Sequence, residues 1–300
     1  MSTEQMGTYE KIYFALWELG QRYGNFVQFR VIGRSHDERM IPMLEIGKGD
    51  TCIICLSGVE SGDRNLPEYL LSIAKDYCRS YESNWTIGES YEVRKLLDKV
   101  RICMIPMLNP DGAELQIHGC DSLNPLTERL TSMSGGDFSR WQANGRGVDL
   151  NHNYNAGFAE YKLLEPSLGI HGGAPTRFSG AYPESEPETS ALCGFIRATD
   201  VSMLLALHTQ GGEIYADYNG LVPPGGSVIA ERMSALSGYK VAKPEPAACY
   251  GGLKDWYILE FNRPGFTIEC GYGKNPLPES DGGIVYSQIR KILLHAPTMI

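Results

Sequence analysis

Residues 56–65, LSGVESGDRN, place two carboxylates, Glu60 and Asp63, three positions apart in a glycine-loosened turn that follows an apolar run. Further on, polar groups close other apolar runs in the same way: the NPDG at 109–112, His208 after VSMLLAL, and Glu269 in GFTIEC. A histidine and two carboxylates are a ligand set for a divalent cation, with a fourth position left for water. A glutamate on a separate strand could act as general base toward that water. Each group also has a plainer reading. A histidine at a strand end is commonly a hydrogen-bonded structural residue, and Glu269 could be an edge carboxylate. The ESGD segment could cap the helix that opens at Pro67, where acidic residues meet the positive end of the helix.

Strands and helices must carry these residues to one place. Ile12, Tyr13, Leu16, Leu19 and Tyr23 recur at helical spacing over residues 8–23. The runs FVQFRVI, MIPMLEIG and TCIICLSG then read as strands between polar or glycine turns, and Pro67 opens a helix to about Tyr81. Residues 100–108, VRICMIPML, read as a buried strand. Residues 109–183 are rich in Gly, Asn, Ser and Pro with little periodicity, which predicts a long functional loop region. Ser185 and Glu188 fit a capping box for the helix that follows. Residues 201–208 and 265–270 read as strands, SVIAERMSALSGY and GIVYSQIRKILLHA as helices. Strands alternating with helices predict an α/β sheet covered on both faces, within one domain spanning residues 1–300. In such sheets, sites form where strands end and loops begin.

A net charge of −9 argues against nucleic acid or an anionic membrane as partner, because phosphate binding needs a basic surface. No apolar run approaches the ~18 residues that suggest a membrane span. The N-terminus, MSTEQMGTYEKIYFALWELGQ, shows no basic segment followed by an uninterrupted apolar one, so no secretory leader is read there. Cys52 and Cys55 spell C-x-x-C, a spacing used by redox and zinc sites. Inside a strand, residues three apart point to opposite faces, so this pair is not expected to share a metal. The eight cysteines are therefore expected as reduced thiols in a cytoplasmic protein.

Five motifs occur together and in order: IPMLNPDGAE at 105–114, NGRGVDLNHNY at 144–154, SEPET at 185–189, LHTQG at 207–211 and FTIECGYGKNPLP at 266–278. Together they resemble the zinc carboxypeptidase family, in particular a bacterial branch that includes γ-D-glutamyl–diaminopimelate peptidases. The resemblance covers nearly the whole chain. It implies an α/β sandwich with a mixed, roughly eight-stranded sheet, and a metal at the ends of the central strands. It assigns the third metal ligand to His208, the general base to Glu269, oxyanion stabilisation to Arg146, and a grip on the substrate's terminal carboxylate to Asn151.

Three positions depart from the family pattern. Family members carry His-x-x-Glu where this chain has Glu60 and Asp63, so the expected ligand set becomes Glu60, Asp63 and His208. Two carboxylates neutralise a dication and weaken its pull on bound water, and oxygen ligands favour harder ions. The cofactor expected is one divalent metal, zinc first, with manganese or another harder ion as alternative. His152 stands where many members carry arginine, which exchanges a charged fork for a smaller ring. The segment YGGLKDWYI resembles the lining of the specificity pocket and puts Lys254 at its floor, facing an acidic substrate side chain. The expected function is a metallopeptidase acting on peptides or muropeptides next to an acidic or diaminopimelate-like residue. The alternative is a family member that binds such peptides without turnover. The oligomeric state is not legible.

Overall fold

An apolar run with no alternation needs cover on both faces, and TCIICL at residues 51–56 is buried along nearly its whole length. The sheet built on it answers that need. The computed structural model describes residues 8–87, 91–244, 250–275 and 277–300. Residues 1–7 of the stretch read for a leader, Cys249 and Pro276 lie outside them. The strands are β1 (Val27–Arg34), β2 (Met40–Ile46), β3 (Thr51–Leu56), β4 (Thr86–Ile87), β5 (Tyr91–Glu92), β6 (Val100–Ile105), β7 (Val201–His208), β8 (Glu213–Tyr215), β9 (Lys240–Ala242) and β10 (Gly265–Glu269). The helices are α1 (Tyr9–Arg22), α2 (Leu66–Glu82), α3 (Val93–Leu97), α4 (Pro110–His118), α5 (Thr127–Ser134), α6 (Phe158–Leu164), α7 (Pro187–Ala198), α8 (Gly226–Ser237), α9 (Leu253–Phe261) and α10 (Gly282–His295).

Eight strands form one mixed sheet in the order β1-β2-β6-β3-β7-β10-β8-β9, while β4 and β5 make a small separate ribbon. Its centre is parallel: β6 with β3, β3 with β7, and β7 with β10. The flanks bring in antiparallel pairs, β1 with β2, β2 with β6, and β10 with β8. The two faces carry separate cores. One packs Ile53 and Cys55 of β3 with Leu16 of α1, Leu70 of α2, Met233 of α8 and Ile289 of α10. The other packs Cys52, Ile54 and Leu56 with Leu192 of α7 and Trp256 of α9. Each such fully buried aliphatic chain contributes roughly 1.5–3 kcal/mol. Cys52 and Cys55 lie in different cores, as the alternation predicts, and all seven described cysteines are free thiols. No helix among the described residues is long and apolar enough to cross a membrane.

Several local expectations are corrected. Residues 109–183 hold three short helices, α4 to α6, rather than one long loop. Asn109 caps α4 by accepting from the Gly112 N–H, and Leu115, Leu130, Phe138 and Trp141 build a third small core. Helices of seven to nine residues are too short to show periodicity above background. The strand expected to reach residue 108 stops at Ile105, ahead of Pro106, which has no N–H to continue the ladder. The capping box is not formed. Glu186 takes the cap position without a side-chain bond, Ser185 Oγ donates to Glu186 Oε1, and Glu188 Oε1 accepts from the His36 N–H of the β1–β2 connection.

Candidate metal centre

Parallel strands end their carboxyl termini along one edge, so side chains far apart in sequence meet there. His208 and Glu269 close β7 and β10 as register partners, and Leu56 of β3 pairs with Ala206 two residues before His208. Beyond Leu56 the chain turns across that edge into α2. Gly58 adopts a positive φ of 61°, with a Cβ there falling 3.1 Å from Pro106 O and Met107 Cα, so a side chain would crowd the backbone. Asn109 fixes the turn: its N–H donates to Gly58 O at 2.8 Å and its Nδ2 to Val59 O at 3.2 Å. The NPDG motif therefore supports the site from behind. The turn so held carries Glu60 and Asp63, whose backbones are joined by the Asp63 N–H donating to Glu60 O.

Asp63 does not cap α2. The cap residue is Asn65, and it makes no side-chain bond. The Asp63 carboxylate turns instead toward β7. Its Oδ1 accepts from the Thr209 N–H at 2.9 Å and from Thr209 Oγ1 at 2.6 Å. Its Oδ2 lies 3.5 Å from His208 Nδ1 and has no hydrogen-bond partner among the described residues. Glu60 Oε1 lies 3.8 Å from the same Nδ1 and accepts from Asn151 Nδ2 at 3.4 Å. Two of the side chains expected as ligands, Glu60 and Asp63, thus face one nitrogen of the third, His208.

Burial governs the charge states. It lowers His208 to about 4, which leaves a neutral ring at pH 7 with a lone pair available for a metal. Burial raises Asp63 to about 7 against the pull of its two Thr209 hydrogen bonds. Glu60 is raised well above the ordinary carboxylate range, first by burial and then by the charges of Asp149, Asp63 and Glu269. Glu269 is pushed up to about 8 by burial and then by Asp63 and Glu213. Acids crowded in this way hold protons at neutral pH unless a cation stands among them. The orphaned Asp63 Oδ2, the neutral imidazole and the facing Glu60 oxygen fit a divalent cation held by two oxygens and one nitrogen.

The remaining expected residues have partners that sequence reasoning did not anticipate. Arg146 is held bidentately by the buried Glu186, Nε to Oε2 and Nη2 to Oε1, both at 2.7 Å. Asn151 is turned toward Glu60. His152 stacks on Tyr161 at 4.2 Å, and its Nδ1 lies 3.0 Å from Tyr250 O. A carbonyl only accepts, so Nδ1 carries a proton, which leaves Nε2 as the one ring nitrogen in place of a forked donor. Lys254 is buried on α9, where its Nζ donates to Asp217 O and Asp255 Oδ1. Four residues were missed altogether. Thr209 follows His208 directly in LHTQG, and Asp149 stands two places before Asn151, so motif adjacency was the available signal. Glu186 sits inside SEPET and offered the same signal, whereas Glu213 gave none: it becomes the cross-strand neighbour of Glu269 only when β8 pairs with β10.

The profile of the zinc carboxypeptidase family matches residues 12–292. The chain belongs to the zinc carboxypeptidase family. It is 32% identical over 271 residues to γ-D-glutamyl-L-diamino acid endopeptidase 1 of Lysinibacillus sphaericus, covering 90% of this chain and 67% of that protein. It is also 32% identical over 276 residues to the uncharacterised protein YqgT of Bacillus subtilis strain 168, covering 90% and 72%. The fold resembles thrombin-activatable fibrinolysis inhibitor, with a TM-score of 0.72, 18% identity, and 99% and 74% of the two chains covered. Murein-tripeptide amidase MpaA from Escherichia coli O157 shares the fold at a TM-score of 0.52 and 18% identity, over 89% and 91%.

Proposed function

We propose that the chain is a metal-dependent peptidase that hydrolyses an amide bond next to an acidic or diaminopimelate-like residue in cell-wall peptides. The observation that carries this reading is the convergence of Glu60, Asp63 and His208 beside Glu269 at the carboxyl edge of the parallel strands. The name of the Lysinibacillus relative supports the substrate class. Glu60, Asp63 and His208 would hold the cation, zinc or a harder ion such as manganese. A dication bound there supplies Lewis-acid polarisation and a more acidic water.

Glu269 takes the proton of the attacking water and returns it to the departing amine. Arg146, steadied by Glu186, faces the negative charge that develops on the carbonyl oxygen. Lys254 uses two of its three N–H groups on Asp217 and Asp255 and offers the third to an acidic substrate side chain. Asn151 orients Glu60, and His152 with Tyr161 forms an aromatic wall. A cavity of about 170 Å³ beside Asp63 and Thr209, floored by Leu66, Tyr69 and Val285, receives part of the peptide.

The test is metal content of chelator-free protein, then turnover of a γ-D-glutamyl–diaminopimelate peptide with zinc or manganese. Near-stoichiometric metal that is lost in His208→Ala is expected, with turnover falling about 10²–10⁴-fold in Glu269→Gln. Metal uptake without cleavage of any such peptide would instead favour a peptide-binding role. The replacement of His-x-x-Glu by Glu60 and Asp63 favours that role, and the Glu186 clamp on Arg146 adds to it.

A further inference from the structure

We infer that Thr209 is a positioning residue that decides which oxygen of Asp63 meets the cation. A carboxylate has two oxygens, and a metal can take one or both. In Asp63 they are treated unequally. Oδ1 is saturated by two donors from a single residue, the Thr209 amide at 2.9 Å and the Thr209 hydroxyl at 2.6 Å. The hydroxyl distance is that of a charge-assisted bond. Oδ2 is buried with no hydrogen-bond partner among the described residues and faces His208 Nδ1 at 3.5 Å. Thr209 therefore leaves Asp63 one available oxygen, and the centre takes a single Asp63 contact with an open position for water.

Thr209 is itself well anchored. It follows His208, whose carbonyl accepts from the Cys270 N–H at 2.7 Å, and its own carbonyl accepts from Asn275 Nδ2 at 2.8 Å. The backbone that delivers one ligand, His208, thus also orients another, Asp63. Glu60 lacks such a clamp, with only Asn151 Nδ2 at 3.4 Å on Oε1. An aspartate reaches one methylene less far than a glutamate, so its direction matters more.

This inference rests on the metal-centre reading, and the experiment separates the two. The chelator-stripped parent, Thr209→Val and Thr209→Ser are titrated with Co²⁺ by calorimetry, with the visible spectrum recorded. The valine variant should lose about 10–100-fold in affinity, the usual effect of removing a group that orients a ligand. Its visible bands should weaken as Oδ1, left with the amide bond alone, joins the metal and coordination rises. The serine variant should restore both readouts. If the valine variant does not fold, Thr209→Ala carries the same comparison. An unchanged affinity and spectrum in the valine or alanine variant overturns the inference alone, as does a serine variant that restores neither. A parent that takes up no Co²⁺ overturns the metal-centre reading and this inference with it.

Discussion

Two clusters of one histidine and two carboxylates among the described residues are put together in opposite ways. His36, Asp37 and Asp111 bring ligand-type atoms within 4.8 Å of one another, close enough to suggest a metal. Yet Asp111 accepts from Ser35 Oγ at 2.7 Å, the Asp37 N–H at 2.8 Å and Arg39 Nη1 at 2.7 Å. His36 Nδ1 lies 3.0 Å from Asp37 Oδ1, which raises His36 and lowers Asp37. In the cluster of Glu60, Asp63 and His208 the shifts run the other way, with the acids raised and the histidine lowered. The first cluster already has its cation, Arg39, and ties the β1–β2 connection to the start of α4. The second lacks one, and so leaves lone pairs free for chemistry. The balance of donors and acceptors, rather than residue type, separates a structural cluster from a candidate catalytic one.

Exchanging aspartate in each cluster is the most forceful way to break this comparison. Asp111→Ala should cost about 3–5 kcal/mol in urea unfolding, because it strips a buried partner from Arg39 and from two other donors. A loss under about 1 kcal/mol would mean that the paired cluster does not hold the fold.

Glu188 tests the paired region at its exception. It is buried, accepts from the His36 N–H and Asn144 Nδ2, and is nonetheless raised to about 7 by burial, with Asp111 and Glu186 adding to the shift. A carboxyl that binds its proton more tightly when folded makes stability fall as pH rises from its unfolded value near 4.5 to about 7. Glu188→Gln should remove a fall on the order of 3 kcal/mol across that window, read from unfolding midpoints between pH 5 and 8. Parallel pH profiles for parent and variant would refute the assignment.

The smallest effect is expected at the candidate metal centre itself. Asp63→Asn keeps an acceptor for Thr209 but removes a crowded charge. Under chelation its stability should stay within about 1 kcal/mol of the parent or rise, while cation uptake is lost. A large loss of stability in chelator would show that Asp63 is structural after all.

Much of the architecture is legible in the chain because long apolar runs with β-branched residues report their own strand character. The limits of β7 match its sequence run residue for residue, and β3 and β10 match to within two residues. Strands β8 and β9 span three residues each and exist because neighbours pair with them, so no local pattern announces them. Likewise, α4 and α5 depend on a cap at Asn109 and on a small core around Trp141. The residues at strand ends could be collected as a group because parallel strands share one edge.

The sequence alone determined the family, an α/β sheet covered on both faces, and the small set of polar residues that could meet at its edge. These follow from periodicity and motif order, which are local properties. Only the tertiary structure decided how those residues are partnered. Asp63 is held by a residue 146 positions away, Arg146 is claimed by Glu186, and Asp111 is neutralised by Arg39. The physical reason is that hydrogen bonds are short and directional. Which donor satisfies which acceptor is settled by tenths of an ångström between distant segments, and no pattern along the chain encodes that distance.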